Sequence, residues 1–85
     1  GLIDVRHPNV VVSALKPGED DGIILRIYEA TGRAAEDVEI VSALPIESVE
    51  EVNLVEDPIR AVESTPNGLR VDLKPFEIRT LRLRF

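Results

Sequence analysis

Residues 65–85, TPNGLRVDLKPFEIRTLRLRF, decide the fold. Thr65-Pro66-Asn67-Gly68 is a turn: Pro fixes φ and Asn-Gly accepts positive φ. Leu69, Val71 and Leu73 then alternate with Arg70, Asp72 and Lys74 without a fault, which is the period-2 pattern of a half-buried strand. Pro75 closes that strand. A last strand is expected over 76–85. Its apolar residues change parity, with Phe76 and Ile78 on even positions and Leu81, Leu83 and Phe85 on odd ones. One pleated face cannot hold both sets, so the pattern predicts a bulge near Arg79-Thr80 with all five side chains inward.

Working outward, residues 9–16, NVVVSALK, carry three consecutive Val. β-branched side chains favour the pleated backbone. Both faces of this stretch are apolar, which predicts a central strand covered twice. Pro17-Gly18 breaks it, and the polar turn 19–22, EDDG, leads to IILRIYE at 23–29. There Ile23, Leu25 and Ile27 share one face. Ile24, Arg26 and Tyr28 share the other, a half-wet or contact face. Residues 35–41 read as a strand with a polar face of Asp37 and Glu39. Residues 48–55 place Val52 and Leu54 on one face; apolar residues at 49, 52 and 55 also fit a helical spacing, but the window is short and Val-rich, which favours a strand. A short strand is expected at 59–63. Six or seven short strands separated by turns give an all-β fold, an antiparallel β-sandwich of immunoglobulin-like type. Residues 1–8 read as a lead-in segment and 9–85 as one domain.

Length and charge bound the function. A fold of 85 residues buries only roughly 60–65% of its unfolded surface. No apolar run is long enough for a helical membrane span. Residues 19–63 hold 13 acids against 3 bases, and the whole chain carries a net charge of −6. A phosphate backbone needs a dominant basic surface, so nucleic acid is not an expected partner. Arg79, Arg82 and Arg84 are expected on a wet or interface side of the last strand. Tyr28, Phe76 and Phe85 are the only aromatic residues, too few for a sugar-stacking module. Without Cys, and with no signal-like apolar core at the N-terminus, the sequence suits the reducing cytoplasm.

Nothing in the chain composes an active site. His7 is the only imidazole, and with no Cys it cannot assemble a zinc site. Glu19, Asp20 and Asp21 lack the spaced ligands of a calcium loop. Glu50/Glu51 and Glu56/Asp57 are adjacent pairs, and adjacent strand residues face opposite ways, so neither pair can flank one glycosidic bond. Ser13 and Ser42 have no nucleophile-activating partner in the pattern.

Three stretches in order, NVVVSALKPGEDDGIILRIYEATGRAAEDVEI at 9–40, EVNLVEDPI at 51–59 and LRVDLKPFEIRTLRLRF at 69–85, resemble the final domain of glycoside hydrolase family 38 alpha-mannosidases. The resemblance implies a fragment of a large zinc enzyme that cleaves alpha-mannosides with retention. Its zinc ligands and nucleophilic Asp would lie in an N-terminal barrel absent from this chain, so catalytic and metal residues are none here. It also implies that this domain packs on the remaining domains of the enzyme. Lys16, Glu19, Asp20, Ile24, Arg26 and Tyr28 are the candidate contacts, with the loop 16–22 near the active-site mouth. Cut loose, the domain is expected to expose an apolar patch and to self-associate. The alternatives are a stand-alone immunoglobulin-like interaction module or a carbohydrate-binding module.

Overall fold

The computed structural model describes all residues, 1–85. Eight strands form it: β1 (Ile3–Arg6), β2 (Val10–Pro17), β3 (Ile23–Glu29), β4 (Ala35–Ser42), β5 (Ser48–Val52), β6 (Pro58–Val62), β7 (Gly68–Leu73) and β8 (Ile78–Arg84). They make two sheets, one of order β1-β4-β7 and one of order β2-β3-β8-β5-β6. Every pairing is antiparallel. Only β2–β3 and β5–β6 are hairpins between consecutive strands; every other connection crosses between sheets.

The core lies between the sheets. Leu25, Ile27, Val49, Leu81 and Leu83 come from the larger sheet, and Ala35, Val38, Ile40, Leu69, Val71 and Leu73 from the smaller. Ile46, on the connection between β4 and β5, closes it. The alternation over 69–73 is reproduced residue by residue, with Leu69, Val71 and Leu73 buried and Arg70 and Asp72 exposed. In β4, Ala35 and Val38 both reach the core although they differ in parity. A bulge between them resolves the conflict. Asp37 sits in it at φ 55. Its amide donates to Asp72 Oδ1 at 2.6 Å, and its carboxylate accepts from Arg70 Nη1 at 3.0 Å.

Five expectations are corrected. The segment 1–8 is more than a lead-in, because β1 pairs with β4 from Ile3↔Ser42 to Arg6↔Glu39 and half-buries Ile3 and Val5. This brings the strand count to eight. β2 is an edge strand rather than a central one. Three strands cannot roof five, so Val12 and Leu15, opposite the inward Ile27 and Leu25, overhang the smaller sheet and stay exposed. β5 ends at Val52, and Leu54 lies in a turn rather than on a strand face. β8 has no bulge: it pairs with β3 in unbroken register from Ile23↔Leu83 to Tyr28↔Ile78. Only its odd positions point to the core, so Leu81 and Leu83 are buried and Ile78 is 63% exposed; Phe76 lies before the strand, in the β7–β8 turn at φ 59, and is 67% exposed, and Phe85 stays partly exposed at 38%.

The fifth correction concerns the arginines. β8 is the middle strand of its sheet, and two of its outward even positions, 80 and 82, are covered too. Thr80 and Arg82 are both buried. Arg82 Nη1 donates to Glu50 Oε1 at 2.7 Å, and Arg84 Nη1 to the same oxygen at 2.8 Å. Arg79 faces the other way and pairs with Glu51 at 2.7 Å, while donating to the Asp72 carbonyl of the opposite sheet. All three guanidinium groups are therefore consumed inside the domain instead of decorating a wet strand.

Candidate interdomain surface

The outer face of the larger sheet is divided into a covered half and a bare half. Two hairpin turns cover the first. The β2–β3 turn brings Gly22 against the Arg82 stem so closely that a Cβ there would stand 2.7 Å from Arg82 Cγ. The β5–β6 turn sends the Glu56 carbonyl to Arg82 Nη2 at 2.7 Å and Glu56 Oε1 to the Glu19 amide at 2.9 Å. Asp20 Oδ2 completes the clasp at 2.7 Å from Arg84 Nη2. Hydrogen bonds from Arg82 and Arg84 hold the Glu50 carboxyl below the usual range, and the Arg84 contact does the same for Asp20. Beneath the clasp, Ile24 and Val52 are buried although they point away from the main core.

The bare half is a cross-strand row of Val11, Tyr28 and Ile78, aligned by the pairs Val11↔Tyr28 and Tyr28↔Ile78. Val11 and Ile78 are exposed and Tyr28 is half-buried. Arg26 borders the row, its Nε donating to Thr80 Oγ1 at 3.3 Å.

The six sequence candidates thus separate. Tyr28 and Arg26 lie on or beside the bare row. Lys16 is exposed on the β2 edge opposite Ile24. Glu19 and Asp20 belong to the clasp. Ile24, expected as a contact residue, is fully buried within the domain, because the turn residues Gly18–Gly22 fold back over it. Sequence reasoning missed Val11, Ile78 and the turn residues Leu54 and Val55, the last two 77% and 67% exposed. Their signal was present for Ile78: its even parity sets it against Leu81 and Leu83.

The group most suggestive of chemistry is Glu29, a carboxylate with no exposed surface. Burial raises its pKa, but five donors overcome that and lower it to about 2. They are the Thr31 hydroxyl and amide, the amides of Gly32 and Arg33, and the Phe76 amide at 3.2 Å. A carboxylate held this way is a fixed anion, unsuited to proton transfer near neutral pH. Its work is to tie the β3–β4 turn to the β7–β8 turn. His7 Nδ1 accepts the Asn9 amide at 3.1 Å. No three His, Cys, Asp or Glu side chains gather as a metal site, so the residues present do not fit zinc. A cleft of about 680 Å³ lies over the outer face of β4 and β7. Within it Glu39 pairs with Arg6 at 3.6 Å and Arg70 at 3.1 Å, while Glu63 has no ion-pair partner.

The chain is thus a β-sandwich with its own core and one half-bare outer sheet face. The model of the glycosyl hydrolases family 38 C-terminal beta sandwich domain matches residues 9–81, and the chain belongs to that family. No curated relative matches it.

Proposed function

We propose that this domain packs on and supports the catalytic domains of a zinc-dependent enzyme that hydrolyses alpha-mannosidic bonds in glycans with retention. The observation that carries the reading is the family match together with the bare Val11–Tyr28–Ile78 row. A sheet face with large apolar side chains in water is costly, and each such side chain fully covered by a neighbouring domain contributes about 1.5–3 kcal/mol. Zinc and the nucleophile belong to the enzyme's other domains in this reading, since no donor set here can hold the metal. Freed from the enzyme, the same row would drive copies of the domain together.

The test compares the isolated chain with the enzyme that carries it. The chain alone is expected to leave an aryl alpha-mannoside intact with or without added zinc, and to bind no mannan, while the enzyme turns the glycoside over. Zinc-dependent turnover by the pure 85-residue chain contradicts the reading. Specific mannan binding would make it a carbohydrate-binding module instead.

A further inference from the structure

The β5–β6 turn, Asn53–Asp57, presents two large apolar side chains to water on a rigid frame. Asn53 Oδ1 accepts the Val55 amide at 3.0 Å and the Asp57 amide at 2.9 Å. The Asn53 amide donates to the Asp57 carbonyl at 3.0 Å, and the Glu56 amide to the Asn53 carbonyl at 3.0 Å. Glu56 occupies φ 66, a conformation unfavourable for a residue with a side chain. The frame tolerates it because Glu56 is gripped from both sides, by the Arg82 guanidinium and by the Glu19 amide. A tight turn normally carries polar side chains at its tip. Here the tip is Leu54-Val55, on a backbone that these hydrogen bonds already fix.

Position adds a second argument. The β5–β8 ladder stops at Val52↔Thr80, so the turn leaves the sheet two positions along β8 from Ile78. It stands on the same side of the molecule as the bare row, because Arg82, which it grips, points to that side. Charge adds a third. Glu19, Asp21 and Asp57 flank the clasp, are exposed, and pair with no cation of the chain.

We infer that Asn53–Asp57 is a preorganised docking knob that seats Leu54 and Val55 in an apolar pocket rimmed by Lys or Arg on another domain of the same enzyme. The inference rests on the accessory-domain reading and specifies its contact. Preorganisation lowers the ordering cost of binding, and the unpaired acids select a basic rim over an acidic one.

Cysteine labelling in the whole enzyme tests this, since the domain has no Cys of its own. Leu54→Cys, Ile78→Cys and Lys74→Cys are made singly and treated with a maleimide, and each site is read by mass spectrometry before and after denaturation. Lys74→Cys, exposed in the β7–β8 turn, is the reactive reference. The knob predicts that Leu54→Cys labels only after denaturation. If Leu54→Cys labels as fast as the reference while Ile78→Cys is protected, the knob is wrong and the accessory-domain reading survives. If both label at the reference rate, both fail. Protection of Leu54→Cys that disappears as the enzyme is diluted to monomers assigns the knob to a second copy and overturns the inference.

Discussion

At the scale of single residues, position relative to the two faces of β8 sets the expected effects. Leu83 is fully buried between the sheets, so Leu83→Ala is expected to cost about 2–4 kcal/mol in chemical denaturation of the isolated chain. Ile78→Ala is expected to change it by no more than about 0.5 kcal/mol, because that side chain is in water. Equal costs would show that the outward parity of Ile78 is wrong. Glu29 supplies a pH signature. Its folded pKa of about 2 lies below the ordinary 4.5, so its contribution is complete above pH 4.5 and fades as the pH falls toward 2. The melting temperature is expected to drop across that window, and Glu29→Gln is expected to lower it at neutral pH while flattening the drop. A variant with an unchanged acid slope would remove Glu29 as its source. The sequence made the glutamate visible but not its role, because its donors are backbone amides of two separate turns, and backbone geometry leaves no mark in composition.

At the scale of elements, strands were legible and their neighbours were not. Strict alternation placed β7 correctly because its two faces differ sharply in polarity. β2 misled because a run of Val looks the same whether covered twice or left hanging over the edge of a smaller sheet. β8 misled in the opposite direction: the central strand carries Thr80 and Arg82 on its outer face, and their cover comes from turns remote in sequence. The three bulges, in β2, β4 and β6, all fall where alternation was weak, whereas the one expected in β8 was inferred from a parity change that exposure explains. Tyr28 and Arg26 were legible as parts of a half-wet outer face; the exposure of Leu54 and Val55 was not, since the shared spacing at 49, 52 and 55 hid the end of β5. The pairing of β4 with β7 offers an element-level check. Val41↔Gly68 brings the backbones together so closely that a Cβ on Gly68 would collide with the Ile40 carbonyl. Gly68→Ala is expected to cost about 1–3 kcal/mol and to raise amide exchange in β7 more than in β3. Uniform exchange, or no loss of stability, would contradict that register.

At the scale of the whole molecule, the proposed function requires a small sandwich to stabilise itself and leave one surface for its enzyme. It separates the two tasks by using ion pairs and two hairpin turns to cover half of the outer sheet face, with Arg82 at the centre, while Val11, Tyr28 and Ile78 remain bare. In the proposed function this domain, matched to its family over residues 9–81, contributes contact rather than chemistry. Ile78→Glu tests this most directly, measured as thermal unfolding of the isolated chain and as thermal inactivation of the enzyme that carries it. The account predicts a melting temperature for the isolated chain that is unchanged or slightly higher, with less self-association, and an enzyme that inactivates at a clearly lower temperature. An enzyme that tolerates Ile78→Glu as well as the isolated chain does would contradict it, because the bare row would then face water in the enzyme as well.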